Sequence, residues 1–264
     1  MIIDTHCHIY PDKIASKASA ATGNFYSLPM HYDGTVSELL DAEDCAGVDL
    51  CLVESVATTP HQVHSINKFI SDTVKLYPDR FIGLGALHPD SEDIENDISE
   101  LTNLGLIGVK LHPDIQGFRL DCDGCMRIFS LCEEYSLPVL IHTGDKRYDN
   151  SNPDRLIRIL QTFPKLTVIG AHFGGWSIWE NATMKLCDFE NLYVDCSSSF
   201  YALDDDTIRK IISQYGTDKI MFGSDYPMWN PKEELDRFLG LGLSSQEEKK
   251  ILYANACKIY GLTT

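Results

Sequence analysis

The chain has 264 residues, 44% of them apolar and 23% charged, with 22 basic against 39 acidic side chains and a net charge of −17. A chain of this length buries a sizeable core without disulfide or metal staples, and α/β barrels often use this length for one domain. So acidic a balance argues against nucleic-acid and anionic-membrane partners. It leaves a small anionic substrate possible, because a metal or an arginine dominates a small site.

Short β-rich apolar runs predict strands at 2–8, 48–55, 81–87, 107–112, 137–143, 166–172, 192–198 and 220–225. Amphipathic segments lie between them. Thr35 with Glu38 is a capping box, and Gly47 marks a helix stop. Val63, Ile66, Ile70, Val74 and Tyr77 form one helical stripe before Pro78, and Ile94, Ile98 and Leu101 form another before Gly105. Asn152-Pro153 opens a helix that buries Leu156, Ile159, Leu160 and Phe163. Ile208, Ile211, Ile212 and Tyr215 repeat the pattern before Gly216, and Ser244 with Glu247 opens a terminal helix carrying Leu252. The longest irregular stretch, 12–34, is a loop, or a short helix plus loop, over the mouth of the fold.

Eight strands alternating with helices wind into an open sheet or close into a barrel. An open sheet would want a glycine-rich phosphate loop after its first strand, and here that strand ends in histidines. The expected architecture is a single (β/α)8 TIM barrel over 1–264, with no linker and no second domain. Nine cysteines, an odd number with one CxxC at Cys122 and Cys125 and no second pair, read as reduced thiols of a cytoplasmic protein. MIIDTHCH lacks a basic segment followed by a long apolar run, so no signal peptide is expected, and no apolar stretch reaches membrane-spanning length.

The chemistry concentrates at the strand ends. With period two, Asp4, His6 and His8 share a face, which sets two imidazoles side by side at the C-terminal end of the first strand. The fifth strand ends in Ile141-His142-Thr143, the sixth in Ala171-His172, and the last in Gly223-Ser224-Asp225. One HxH is a weak signal, but four strand ends carrying His or Asp meet at one mouth if the barrel closes. Imidazoles and a carboxylate gathered in a low-dielectric cleft call for a divalent cation: zinc first, with manganese, iron or cobalt also suited. Gly170 and Gly223 are expected to leave room for substrate or water.

The set DTHCH, IHTGD, AHFGG and FGSDYP resembles the amidohydrolase superfamily, nearest the branch that holds the aminocarboxymuconate semialdehyde decarboxylase relatives. The resemblance implies His6 and His8 as the first metal pair, with His142 as a ligand. It implies Asp225 as a ligand that also handles a proton. It makes His172 the residue that bonds water or substrate in one-metal members, and a ligand in two-metal members. It implies metal-assisted hydrolysis of a C–N or C–O bond, or, as the alternative, non-oxidative decarboxylation of an aromatic or enol carboxylic acid.

Two-metal relatives use a carboxylated lysine or a glutamate on strand four. Lys110 is the candidate here, but His112 lies beyond it and sets it one layer too deep. It reads first as an interior lysine paired with Asp4 or Asp225, so one ion is favoured over two. His112, Gln116, Arg147 and Trp176, at or just beyond the fourth, fifth and sixth strand ends, are candidate substrate contacts. Arg147 could clamp a carboxylate or pair with Asp145 or Asp149, and Trp176 could wall a pocket or simply pack. Asp195 is expected to orient a metal-binding histidine. His31, His61, His64 and His88 are read as loop or surface residues. The expected partner is a small molecule, and a homo-oligomer is compatible with all of this.

Overall fold

A computed structural model describes residues 1–262. The strands are β1 (Ile3–His8), β2 (Leu50–Glu54), β3 (Phe81–Gly83), β4 (Gly85–Ala86), β5 (Val109–Leu111), β6 (Val139–Ile141), β7 (Val168–Gly170), β8 (Leu192–Asp195) and β9 (Ile220–Met221). Every pairing is parallel and sequential, β1-β2-β3 and then β4 through β9. β3 and β4 are one barrel strand interrupted at Leu84, whose amide bonds Val53 O at 3.0 Å while the Gly85 amide bonds Gly108 O at 2.8 Å.

The barrel closes between its ends. Thr5 N donates to Phe222 O (3.0 Å), Asp225 N to His6 O (3.0 Å) and His8 N to Tyr226 O (2.7 Å). The eight strands expected from sequence are therefore present as a closed (β/α)8 barrel. They are shorter than the apolar runs, because pairing stops where the chain turns out over the mouth.

Two apolar layers hold it. The larger lies between sheet and helices. The smaller fills the barrel floor with Ile3, Leu52, Leu84, Leu140, Ile169 and Met221, capped from below by Ala256 and Tyr260 of the last helix, Asn255–Tyr260. Both predicted capping boxes form: Thr35 with Glu38 and Ser244 with Glu247. The stretch 12–34, only partly read from sequence, holds helix α1 (Ala15–Tyr26), which lies over the mouth. The helices Asp123–Glu134, Trp179–Leu186 and Pro231–Leu239 complete the outer ring. Among the described residues no helix is long and apolar enough to cross a membrane.

β1 departs from simple alternation. Its register against β2 shifts between Asp4 and Cys7. Asp4 therefore does not join His6 and His8; its Oδ1 accepts from the His6 and Ser224 amides, both at 3.0 Å, and so ties β1 to the chain after β9.

Asn67 splints the interrupted strand. Its amide group exchanges two bonds with the backbone of Ala86, at 2.7 and 3.1 Å, in the buried core. Asn67→Ala leaves a buried N–H and C=O unpaired and should cost about 2 kcal/mol. Equilibrium urea unfolding checks this, and an unchanged midpoint would remove the splint from the account.

Candidate metal centre

His6, His8 and Asp225 come together at the mouth, with ligand atoms mutually within 4.8 Å. Asp225 Oδ1 is 3.4 Å from His6 Nε2 and 3.7 Å from His8 Nε2. His142 lies to one side: its Nδ1 is 3.0 Å from His172 Nε2, its ring stacks on His112 at 4.0 Å, and its Nε2 is 3.7 Å from Asp114. The His172 ring in turn stacks on His6 at 5.2 Å. The expected set is thus arranged as a triad plus an adjoining histidine pair.

The hydrogen bonds assign the ring protons. His6 Nδ1 faces Asp195 Oδ2 at 2.9 Å, so Nδ1 carries the proton and Nε2 the lone pair. Asp195 takes the orienting position expected of it, and its Oδ1 also accepts from the His172 and Ser197 amides. His172 Nδ1 donates to Ser197 O (3.0 Å), which leaves Nε2 to accept from His142. His112 Nδ1 accepts the Ile115 amide, so its Nε2 donates to the Tyr26 hydroxyl at 2.7 Å. Tyr26 OH, 3.5 Å from the His142 ring nitrogens, then points its own proton toward His142.

Burial, reinforced by the Lys110 charge, pushes His6 and His8 well below the ordinary imidazole range. Burial, helped by neighbouring imidazoles, does the same to His142, and burial takes His172 down to about 4. All four are neutral at pH 7, the form that binds metal. Burial raises the Asp225 carboxyl to about 7 against the lowering effects of Ser198 and Lys110. Ser198 Oγ donates to Asp225 Oδ2 and accepts from Trp229 Nε1 at 2.7 Å. His172, Ser198 and Asp225 have φ of 58°, 46° and 63°. Left-handed backbone at non-glycine residues costs about 1–3 kcal/mol each and clusters at functional sites.

Several expectations are corrected. Lys110 pairs with neither Asp4 nor Asp225 but with Glu54, Nζ to Oε1 at 2.8 Å. Its backbone does sit in the floor layer, opposite Leu140, yet the long stem carries Nζ up to 2.8 Å from His6 Nε2. Arg147 is no free carboxylate clamp. It grips Asp145 through Nε and Nη2, donates to Phe25 O at 2.6 Å, and lies over Phe25, Tyr26, Tyr148 and Trp176. Gln116 is a loop clasp: Nε2 bonds Ala57 O and Leu87 O, and Oε1 accepts the His112 amide. Trp176 packs edge-on against Tyr26, while His112 lines the cavity. Gly223 leaves room for protein and not for substrate, since a Cβ there would stand 3.0 Å from His6 Cβ. At Gly170 the space is taken by Gly174 Cα, 3.1 Å away from such a Cβ. His88 is buried, outside the site, and accepts the Asp90 amide.

Sequence reasoning missed Glu54, Tyr26 and Trp229. Glu54 is fully buried, pairs in register with His8, and holds Oε1 3.3 Å from His6 Nε2 and 3.7 Å from His8 Nε2. Burial raises its carboxyl to about 8 despite Lys110. Its signal was available: period two along β2 puts Leu52 and Glu54 on the inner face. Tyr26 ends α1, a segment the sequence left open between loop and short helix, and Trp229 lies in the connection between β9 and Pro231–Leu239, where no period applies.

A cavity of about 590 Å³ leads to the triad. Ala18, Ala21 and Phe25 of the α1 face, together with Ile14 just before it and Val56 and Phe69, wall it. Arg147 therefore latches the end of α1, where its cation also meets the C-terminal carbonyls of the helix. Arg147→Ala should speed amide exchange across 15–26 by about tenfold or more and leave metal content unchanged. Hydrogen-exchange mass spectrometry checks this; unaltered protection of α1 would refute the latch.

The comparisons with known proteins agree with this geometry. A family model described as Amidohydrolase matches residues 3–262. The 2-amino-3-carboxymuconate-6-semialdehyde decarboxylase of Dictyostelium discoideum is 26% identical in an alignment that covers 61% of this chain and 55% of that protein. The chain therefore spans about half the length of that relative. A TIM-barrel protein from Bordetella bronchiseptica superposes with a TM-score of 0.80 at 21% identity, covering 98% of each chain. A dihydroxybenzoic acid decarboxylase from Polaromonas sp., solved with manganese and the inhibitor 2-nitroresorcinol, gives 0.76 at 18% identity over 99% of this chain and 97% of that one. With a family model matched across nearly its whole length, this chain belongs to the amidohydrolase family.

Proposed function

We propose that the chain is a metal-dependent, non-oxidative decarboxylase of a small aromatic or enol carboxylic acid. The observation that carries this reading is the apolar cavity of about 590 Å³ that ends on His6, His8 and Asp225. Pockets of this size suit small organic ligands, and the walls offer a planar ring apolar contact. The printed activities of the Dictyostelium and Polaromonas relatives support the same choice.

The residues fit a divalent ion. Neutral imidazoles and carboxylates are its usual donors, and Glu54 Oε2 is buried without a hydrogen-bond partner. His6, His8 and Asp225 would hold one ion, with His142 beside them as a further ligand. Zinc suits the donors, and the Polaromonas relative holds manganese. When bound, the ion supplies an anchor for substrate oxygens and draws off the negative charge left when CO2 departs.

The chain's own residues do the rest. The α1 face and Phe69 hold the ring and exclude water. Tyr26, whose oxygen already accepts from His112, directs its hydroxyl proton toward substrate oxygens beside His142. Asp225, aimed by Ser198, delivers a proton to the carbon that loses CO2, so the C–C bond breaks and a C–H bond forms at the same atom. His172 fixes the His142 ring.

Hydrolysis, which the sequence put first, uses the same histidines and Asp225 on a water molecule. The two reactions differ in product. Incubation with ortho-hydroxylated benzoates in D2O should release CO2 and place one deuterium at the vacated carbon. Products that carry solvent ¹⁸O without CO2, formed from an ester or amide panel, would overturn decarboxylation.

Asp225→Asn separates ligation from proton transfer. Its amide oxygen still approaches the ion, so part of the metal should remain, while turnover falls by about 10²–10⁴-fold. Near-normal turnover with full metal would remove the proton role. His172→Asn should keep its metal and lose activity; parallel loss of both would make His172 a ligand. Chelation should abolish turnover, and added Zn²⁺ or Mn²⁺ should restore it.

A further inference from the structure

Lys110 rises from the barrel floor and sets a buried ammonium beside the candidate metal centre, an unusual position for a cation. Nζ stands 2.8 Å from His6 Nε2 and 2.8 Å from Glu54 Oε1. The Asp195 contact puts the His6 proton on Nδ1, so Lys110 donates to the lone pair that a metal would need. An ammonium and a divalent ion cannot share that lone pair, and at low dielectric the two charges repel.

We propose that Glu54 is the counter-ion that draws Lys110 off His6 and neutralises it, so that the Glu54–Lys110 pair sets the metal affinity of the site. The inference rests on His6, His8 and Asp225 being metal ligands. Glu54 has the reach, because Oε1 lies 3.3 Å from His6 Nε2. It has the capacity, because neither of its oxygens makes a well-directed hydrogen bond.

The test is a double-mutant cycle read by Mn²⁺ binding, with free Mn²⁺ followed by electron paramagnetic resonance. Glu54→Gln leaves Lys110 unbalanced and should weaken Mn²⁺ binding by about tenfold or more. Lys110→Met removes the competitor and should bind Mn²⁺ as well as wild type or better. The double variant E54Q/K110M, which buries no unpaired charge, should return to within about threefold of wild type. It keeps the test decisive if a single variant misfolds, and near-ultraviolet circular dichroism checks each fold. Loss of Mn²⁺ in Lys110→Met would make Lys110 a ligand and overturn the proposal. A double variant as weak as Glu54→Gln would make Glu54 a direct ligand and overturn it equally. If wild type binds no Mn²⁺ or Zn²⁺, the metal reading falls and this inference falls with it. If wild type binds and the cycle fails, only this inference falls.

Discussion

Closure of the parallel sheet between β1 and β9 is the constraint on which the site depends. Thr5 and Phe222 are 217 positions apart, and they are joined by one backbone bond and by the Thr5 hydroxyl at 2.7 Å. Asp4 adds a side-chain stitch from β1 to Ser224. Without that seam His6 and Asp225 would sit at opposite edges of an open sheet. With it, His6 and His8 of β1, Glu54 of β2 and Asp225 just past β9 face one another, and a buried polar cluster forms that no single segment could satisfy.

A cluster of this kind must be organised before it can bind anything. Burying an imidazole or a carboxylate without a partner costs several kcal/mol, and half-satisfied networks are worse than apolar packing. Here the network begins at fixed backbone groups. Ser197 O sets the His172 tautomer, which sets His142, and the Ile115 amide sets His112, which sets Tyr26. Asp195 joins the two halves by holding His6 through its side chain and His172 through its backbone. The tautomers are therefore set from the backbone, with His6 Nε2 left facing Glu54 and Asp225, and the left-handed backbone at His172, Ser198 and Asp225 is the strain that this arrangement requires.

This division explains what was legible in the sequence. The strand count, the capping boxes and the histidines at positions 6, 8, 142 and 172 follow from periodicity, because parallel strands repeat one rule eight times. Glu54 obeyed the same rule, but a single acidic residue ending an apolar run carries little signal by itself. The Asp4 face was misread because a register shift in β1 leaves no trace in composition. Lys110 was placed by its backbone layer, and a flexible four-carbon stem does not stay in its layer. Arg147 had two partners open to it in sequence, a substrate carboxylate or a nearby aspartate. Its fate was decided by the end of α1 arriving from more than a hundred residues away. Contacts of that kind belong to tertiary structure and have no local period.

The same contacts bear on how an acidic protein would take an acidic substrate. The net charge of −17 works against any anion approaching from solution. Inside the cavity the basic side chains are Lys17 near the rim and Lys110 at the floor. Lys110 is already committed to Glu54, and Arg147, which lies over Tyr26, is committed to Asp145. Under the proposed reaction a substrate carboxylate therefore finds little attraction from side chains alone, and the bound ion must provide most of it. Charge would then enter the site mainly with the metal, so substrate affinity and metal loading become one linked quantity. The apolar walls contribute what is left, which is shape: they favour a flat ring over a flexible chain without adding to the charge balance.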